Sequence, residues 1–342
     1  MTPRPTVSVI VPTFNRAGWL ERTVWSALAQ TVPPLEVIVV DDGSTDGTEA
    51  VARGLPAPVR YLPQANAGVG AARNAGAAAA AGDWLAFLDC EDLWRPEKLE
   101  VQFRALADRP GAAWAVSDCT VIGLDDRPLP GRQGFREVFE VFHAGGPDPE
   151  RHLAAFLERG TSGGVPTYGG DLYALLFGGN ICLPSSALVR RDAFEAAGGF
   201  DPAWRLAEET EFFHRLAAAA PGVVVMAPLV AYRVGLSGAL TSPANSVALI
   251  RGALESIERA AGLRMPLAAA EREAFARGRD RLLLRLAYTH LTNYDASAAR
   301  QALEAVSPAG RTSRRALLLR VLSRVPRGGL RALHRAKRAA GR

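Results

Sequence analysis

The chain has 342 residues, carries a formal net charge of +5, and is 48% hydrophobic, which is enough to bury one sizeable core with an appendage. Its three cysteines lie far apart and do not form the framework of a disulfide-rich secreted domain, so we expect a cytoplasmic protein. No apolar run reaches the roughly 20 residues of a membrane span, and we expect neither a span nor a signal peptide.

Apolar segments alternate with segments of helical periodicity through the N-terminal half. The first, a β-branched run that ends at Pro12, is typical of a central strand in a parallel sheet. The pattern predicts strands at 7–12, 36–40, 59–62 and 84–88, and helices at 15–29, 47–54 and 68–81. Because strands and helices alternate in this order, we predict an α/β fold with right-handed crossovers.

Polar turns follow three of these strands, at residues 12–15, 41–44 and 89–92. Ligands of α/β sheets bind beyond the C-terminal strand ends, so we expect the three turns to share one rim. Asp89, Glu91 and Asp92 would repel one another unless a cation such as Mg²⁺ or Mn²⁺ lay among them. An acidic helix cap is the alternative. No glycine-rich phosphate loop is present, so a metal and an arginine would have to hold any phosphate.

Four segments resemble the motifs of the family 2 glycosyltransferases, in the family's order and spacing. They read VSVIVPTFNR at 7–16, VVDDGSTD at 39–46, NAG to ARNAG at 66–76, and FLDCED at 87–92. The resemblance implies a GT-A fold, Rossmann-like and typical of nucleotide-diphospho-sugar transferases. It also implies a nucleotide-diphosphate-sugar donor, Mn²⁺ or Mg²⁺ as cofactor, and inversion at the anomeric carbon. UDP is the favoured nucleotide, with GDP and dTDP open.

The resemblance further implies a donor site. Pro12 and Phe14 would line the base pocket, and Asp42 or Asp41 would accept a hydrogen bond from the base, unless the two aspartates only cap the next helix. Arg73, near the positive end of its helix, would bind the diphosphate, unless it faces solvent. The implied donor-binding residues are Pro12, Thr13, Phe14, Asn15, Asp41, Asp42, Ser44, Arg73, Asp89 and Cys90.

The metal motif departs from the family's Asp-x-Asp-Asp, because Glu91 replaces the second aspartate. By resemblance Asp89 and Glu91 hold the metal, with the extra methylene of Glu91 displacing its carboxylate. Cys90 has no nearby Cys or His with which to complete a zinc site, and we expect a small buried residue.

A second acidic cluster resembles the family segment that carries the catalytic base. Glu209 precedes Phe212 by three and Phe213 by four residues, so helical spacing points it towards an apolar face. Burial there would raise its pKa, as a general base requires. The family commonly has aspartate at this position, and Glu208 is the second candidate. An acidic helix N-terminus is the alternative.

Nearby residues receive other interpretations. We expect Glu211 to form a surface salt bridge with Arg215, four residues later. Gly235 stands where the family often has a histidine ligand, and we interpret His214 as structural. The glycine-rich stretch 160–179 is predicted to form flexible acceptor-side loops.

The predicted domains are a GT-A domain at 1–240, a helical extension at 241–308 and a basic amphipathic tail at 309–342. Residues 311–342 contain 11 basic and no acidic side chains, so the rest of the chain has a net charge of −6. Such a tail can lie on an anionic membrane, here the inner face of the cell membrane; docking on its own domain or a solvated end is the alternative. We expect no nucleic-acid partner, because the tail has no aromatic residue.

The resemblance thus implies an inverting, metal-dependent glycosyltransferase of polysaccharide, cell-envelope glycan or glycolipid synthesis. Its acceptor would be a glycan or a lipid-linked molecule. The helical extension could be a lid, the surface of a homodimer or a platform for the acceptor, and the sequence does not choose among these. Two alternatives stay open. A non-catalytic nucleotide-sugar-binding relative is compatible with the changes to Glu91 and Glu209. A sugar nucleotidyltransferase would need a glycine-rich basic loop after the first strand, which residues 12–15 do not provide.

Overall fold

The computed structural model describes residues 5–135, 148–236 and 243–326, together with 328, 329 and 331. The chain forms two compact units, Met1–Leu236 and Ser237–Arg342. The first contains an eleven-stranded mixed sheet covered by helices, and the described part of the second is helical.

The strands of the first unit are β1 (Val7–Thr13), β2 (Glu36–Asp41), β3 (Val59–Pro63), β4 (Trp84–Phe87), β5 (Leu93–Trp94), β6 (Trp114–Ile122), β7 (Pro128–Gln133), β8 (Glu158–Ser162), β9 (Val165–Gly170), β10 (Leu188–Arg190) and β11 (Gly222–Arg233). Its helices are α1 (Ala17–Leu28), α2 (Thr48–Arg53), α3 (Val69–Ala79), α4 (Lys98–Ala107), α5 (Pro149–Ala154), α6 (Tyr173–Phe177), α7 (Arg191–Ala196) and α8 (Glu208–Ala219), with a 3-10 turn at Pro184–Ser186.

The sheet has the strand order β3-β2-β1-β4-β10-β6-β11-β9-β8, with β5 paired to β11 and β7 to β6. Strands β1 to β4 correspond to the four predicted strands and pair in parallel. The short strand β10 is antiparallel to both β4 and β6. The α/β prediction is confirmed, and the carboxyl ends of β1, β2 and β4 lie at one edge.

Strands β1, β2 and β4 are buried on both faces, apart from the partly exposed Trp84, which explains their unbroken apolar sequences. All seven residues of β1 are buried, and Val9 and Val11 join the core cluster on one face. On the other face α3 lies very close to the sheet. A Cβ at Gly76 would stand 2.4 Å from a methyl of Ile10, so the glycine permits the contact that places α3 behind the rim.

The prediction of flexible loops at 160–179 is wrong. Strands β8 and β9 form a hairpin there, and β9 pairs antiparallel with β11. The turn uses Gly163 and Gly164, whose φ values of +53° and +85° favour glycine. Tyr168 is buried, so these glycines make the turn of an ordered hairpin.

The second unit contains α9 (Ser246–Ala260), α10 (Ala269–Thr292), α11 (Ala296–Glu304), α12 (Pro308–Arg311) and α13 (Arg314–Leu322). Apolar side chains of α9, α10, α11 and α13 share one core, which includes Ile250, Ala287, Leu303 and Leu319. The predicted helical extension is therefore confirmed. Within the described part of the chain, no helix combines the length and hydrophobicity needed to cross a bilayer.

Candidate active site

Two of the predicted rim turns are joined directly. The backbone N–H of Asn15 donates to Ser44 Oγ at 2.9 Å, and the N–H of Thr45 donates to Asn15 Oδ1 at 2.8 Å. The left-handed backbone of Asn15, with φ of 52°, allows this exchange. Pro12 and Thr13 are buried at the end of β1, whereas the Phe14 ring is 45% exposed at the rim.

Asp41 ends β2 as a buried carboxylate with two neutral donors. The N–H of Ser44 donates to Oδ1 at 2.9 Å, and the Tyr61 hydroxyl donates to Oδ2 at 2.8 Å. Burial, followed by the contact with Asp41, raises the pKa of Tyr61 to about 12. Each carboxylate oxygen retains a free lone pair, so Asp41 can accept another hydrogen bond.

Asp42 is more fully engaged. Its Oδ1 accepts from Gln64 Nε2 at 2.7 Å and from the N–H of Ala67 at 2.8 Å, while Oδ2 accepts from the N–H of Gly68 at 2.8 Å. Asp42 thus fixes the segment that leads into α3. Neither aspartate caps α2, because Asp46 accepts from the N–H at the start of that helix.

Arg73 is a buried ion-pair centre, with a guanidinium only 3% exposed. Its Nη2 lies 2.7 Å from Asp89 Oδ1, and its Nη1 lies 2.9 Å from Glu208 Oε1. The guanidinium also lies over the Phe200 ring, 5.0 Å from the centroid. Burial opposes the charge, but the two carboxylates raise the pKa of Arg73 overall. One side chain therefore links the two predicted acidic clusters.

The loop after β4 gives its three acidic side chains different surroundings. Asp89 is partly exposed and faces Arg73, and its backbone N–H donates to Ser185 Oγ at 3.0 Å. Glu91 is also partly exposed, and its Oε2 lies 3.7 Å from Arg16 Nε. Burial and the neighbouring Asp89 raise the pKa of Glu91. The two carboxylates repel each other, and a cation bound between them would relieve that repulsion.

Asp92 is a structural residue of this loop. It is 1% exposed, and its oxygens accept from Ser185 Oγ at 2.6 Å and from the N–H of Arg233 at 2.9 Å. Cys90 is buried too, as expected. Both side chains are buried, whereas Asp89 and Glu91 are partly exposed.

Arg233, at the end of β11, holds the loop from the other side. Its Nε donates to the carbonyl of Glu91 at 2.8 Å, its Nη1 donates to the carbonyl of Gly123 at 2.7 Å, and Asp126 pairs with it at 2.5 Å. The guanidinium lies 4.4 Å from the centroid of the Trp19 ring. With 1% exposure, Arg233 is a fixed support for the backbone of the acidic loop.

Helix α8 presents the second cluster. It begins after Ala207, a left-handed residue with φ of 61°, so Glu208 and Glu209 occupy the first turn. Glu208 is the buried member of the pair, whereas Glu209 is partly exposed and so is less deeply buried than expected. Burial and the charge of Glu208 nevertheless raise the pKa of Glu209 to about 7. Thr210 Oγ1 donates to Glu209 at 3.2 Å.

Two further polar residues of α8, Glu211 and His214, are buried. Glu211 pairs with Arg215 through contacts of 2.7 and 2.6 Å, but it is 6% exposed and so is not a surface residue. Arg215 also donates to the carbonyl of Gly199, so the ion pair is attached to the loop that precedes the helix. His214 is buried and stacks on Phe177, with ring centroids 5.9 Å apart, and burial lowers its pKa to about 4.

The donor set suits a Mg²⁺ or Mn²⁺ ion that keeps other ligands. Asp89 and Glu91 supply hard oxygen donors, and such ions are commonly held by one or two carboxylates together with substrate phosphates and water. Among the described residues no group of three or more His, Cys, Asp or Glu side chains could hold a metal alone. Gly235, exposed with φ of 92°, supplies no side-chain ligand.

The roles of several residues that support the site could not be predicted from the sequence. The sequence assigns no role to Ser185 or to Arg16, although Arg16 ends the segment 7–16 that resembles a family motif. Asn74 lies within the segment 66–76, and Arg233 lies two residues before Gly235 in another segment that resembles the family, so the resemblance was the available signal. Asn74 exchanges two hydrogen bonds with the backbone of Phe200, at 2.6 and 2.8 Å, and so attaches the loop before α8 to α3.

The sequence is similar to known glycosyltransferases. The profile described as glycosyl transferase family 2 matches residues 8–196. The succinoglycan biosynthesis protein ExoO of Rhizobium meliloti (strain 1021) is 43% identical over 127 residues, 36% of each chain. The putative teichuronic acid biosynthesis glycosyltransferase TuaG of Bacillus subtilis (strain 168) is 37% identical over 131 residues, 37% of this chain and 51% of the relative. The matches thus span a third to a half of these relatives.

Solved structures share the fold. Mannosyltransferase PcManGT from Pyrobaculum calidifontis, in complex with GDP-Man and Mn²⁺, superposes with a TM-score of 0.56 at 21% identity, covering 99% of this chain and 83% of that one. S. aureus TarS 1-349 in complex with UDP-GlcNAc gives a TM-score of 0.51 at 16% identity, covering 87% of this chain and 88% of that one. Because the family profile covers more than half of the chain, this protein belongs to glycosyl transferase family 2, with the predicted GT-A fold and C-terminal helical extension.

Proposed function

We propose that this glycosyltransferase is inverting and transfers a sugar from a nucleotide-diphosphate sugar to an acceptor hydroxyl. The observation that carries the proposal is the double ion pair of Arg73. It joins Asp89, in the acidic loop, to Glu208, the neighbour of Glu209. A group that can hold a diphosphate and a group that can accept a proton are thereby attached to the same support.

The donor would lie across the rim formed by β1, β2 and β4. We assign the base pocket to Pro12, Thr13, Phe14, Asn15 and Ser44, with Asp41 as the acceptor for a base N–H. Asp41 is preferred to Asp42 because two neutral donors leave it spare lone pairs. The TarS complexes with UDP and UDP-GlcNAc support a UDP-sugar, and the PcManGT complex with GDP-Man keeps GDP open.

Asp89 and Glu91 would hold a divalent ion, and the Mn²⁺ in the PcManGT complex supports this assignment. When bound, such an ion offsets the charge that develops on the departing nucleotide diphosphate. Arg73 fixes Asp89 while remaining buried, so we assign it a positioning role instead of open contact with the diphosphate. Arg233 fixes the backbone of Glu91 from the opposite side.

Glu209 would act as the general base, with Glu208 as its electrostatic neighbour. The ionised Glu209 accepts the proton of the acceptor hydroxyl as that oxygen attacks the anomeric carbon from the face opposite the nucleotide. The bond between the anomeric carbon and the diphosphate oxygen breaks, and the sugar is inverted. A pKa of about 7 is close to the optimum for a base at neutral pH.

The acceptor class is proposed from relatives. ExoO is named for succinoglycan biosynthesis and TuaG for teichuronic acid biosynthesis. We therefore propose a glycan or a lipid-linked glycan as acceptor, in polysaccharide or cell-envelope synthesis.

Calorimetric titration of the full chain with UDP, GDP and dTDP tests the donor assignment. Each nucleotide is titrated with Mn²⁺, with Mg²⁺ and with EDTA. One nucleotide should bind, at least about tenfold more tightly with the metal. Glu91→Gln should lose the metal dependence, and the exposed Glu49→Gln serves as the matched control. A folded protein that binds none of the three nucleotides would contradict the proposal.

A further inference from the structure

We propose that helix α13 docks the chain on an anionic lipid surface. The helix, Arg314–Leu322, packs on the core of the second unit through Ala316 and Leu319, which are 1% and 2% exposed. These contacts bury only one side of the helix. Lipid would bind the opposite side, independently of the sugar donor and the catalytic base.

That opposite side is apolar and open to solvent. Leu317, Leu318 and Val321 are 52%, 59% and 62% exposed. Their spacing of one, three and four residues places them together on the helix, away from Ala316 and Leu319. Three of the ten large hydrophobic side chains exposed in the described residues thus lie on one nine-residue helix. Such a concentration marks an interaction surface.

Arginines surround this apolar side. Arg314, Arg315 and Arg324 are exposed, and none has an acidic partner among the described residues. The sequence from 311 to 342 contains 11 basic and no acidic side chains. A helix that combines an apolar side with flanking arginines suits the interface of a bilayer, because the side chains reach the headgroups while the leucines enter the acyl boundary.

Charge complementarity indicates that anionic lipid, and not a second copy of the chain, binds the exposed side of α13. Two copies of this face would bring unpaired arginines together, and like charges would oppose their association. Anionic lipid headgroups supply the missing negative charge without a specific partner sequence. The attraction is worth about fivefold in partitioning for each arginine near the surface. The chemistry therefore favours phosphatidylglycerol-like headgroups over a second copy of the chain.

Vesicle flotation of the full chain tests the proposal. Vesicles of phosphatidylcholine alone are compared with vesicles that contain about one-third phosphatidylglycerol. We expect at least about tenfold stronger partitioning to the anionic vesicles, weakened by added salt. The combined change Leu317→Ser, Leu318→Ser and Val321→Ser should remove at least about nine-tenths of the bound fraction. Replacing Arg314, Arg315 and Arg324 by Gln should weaken binding by a similar factor.

The chain offers a matched control. Leu263→Ser with Met265→Ser removes two exposed apolar side chains, 47% and 69% exposed, from another part of the second unit. This variant should bind vesicles like the unaltered protein. Leu318→Ser and Val321→Ser are also tested singly, because each leaves Ala316 and Leu319 in the core. Each single variant should weaken binding severalfold, with an unchanged circular dichroism spectrum.

Four results would overturn the inference. Equal binding to neutral and anionic vesicles would show that the arginines do not contribute. Binding to neither kind of vesicle would exclude docking on a lipid surface. Undiminished binding by the triple serine variant would remove the role of the apolar side. A dimer detected by light scattering, lost in the triple variant and accompanied by no vesicle binding, would assign the face to a second copy of the chain.

Discussion

Asp89 and Glu208 bind two different nitrogens of one buried guanidinium, at 2.7 and 2.9 Å from Arg73. The first carboxylate belongs to the loop after β4 and the second to the first turn of α8. Their separation in space is thus set by one side chain that is 3% exposed. This arrangement makes stability and catalytic geometry depend on the same residue.

Arg73→Met should destabilise the protein strongly. The change leaves the nearly buried Glu208 without its counter-charge, and breaking a buried pair in this way costs about 3–5 kcal/mol. Urea denaturation gives the free energy of unfolding. Arg104→Met, which breaks an exposed pair with Glu100, should cost less than about 1 kcal/mol. Adding Glu208→Gln to Arg73→Met should recover part of the loss. Equal costs for Arg73→Met and Arg104→Met would contradict this account.

Arg233→Met should weaken metal-dependent nucleotide binding. Without the guanidinium, the carbonyl of Glu91 loses its donor, and the acidic loop is no longer fixed to β11. We expect about a tenfold loss of Mn²⁺ affinity, as for other supports of metal ligands. Arg22→Met is the control, because Arg22 pairs with the same Asp126 from an exposed position. If the two variants bind Mn²⁺ equally well, Arg233 does not position the loop.

Glu91→Gln should separate stability from function. Burial and Asp89 raise the pKa of Glu91, so the folded state holds a proton there more tightly than the unfolded state. At neutral pH the ionised carboxylate therefore opposes folding, and its neutral analogue should raise the melting temperature of the metal-free protein. The same change should abolish the metal dependence of nucleotide binding. A lower melting temperature would show that the Arg16 pair outweighs the repulsion.

The pH dependence of kcat/KM should report Glu209. Below its pKa of about 7 the carboxyl is protonated and cannot accept a proton, so the rate should fall about tenfold per pH unit on the acid side. Above about pH 7 the profile should level off. Glu208→Gln removes the neighbouring charge and should move the inflection to lower pH. A profile that is flat between about pH 5 and 8 would exclude Glu209 as the base.

Much of the fold could be predicted from local patterns. The sequences of β1, β2 and β4 are nearly continuous runs of β-branched and other apolar residues, which is typical of strands that are buried on both faces. The hairpin β8–β9 could not be recognised, because its pairing with β11 is formed by residues distant in the sequence. Its glycines therefore looked like flexible loops.

The site was predictable by residue type but not by orientation. Spacing indicated that α8 carries a carboxylate near an apolar face, but the left-handed Ala207 sets where the helix starts. That start turns Glu208 inward to Arg73 and leaves Glu209 partly exposed. Likewise, the sequence does not distinguish the three acidic residues of the loop after β4. Asp92 differs from the other two because Ser185 and the backbone of Arg233, both distant in the sequence, donate hydrogen bonds to it.

The comparison of Glu209→Gln with the unaltered chain decides whether Glu209 is the general base. Nucleotide release from the sugar donor is measured at saturating donor and metal, and donor affinity is measured by calorimetry on the same samples. If Glu209 is the base, turnover should fall about 10²–10⁴-fold while donor affinity stays within about twofold. Turnover that survives in Glu209→Gln would contradict Glu209 as the base. Donor binding without turnover in the unaltered chain would instead identify a non-catalytic nucleotide-sugar-binding protein.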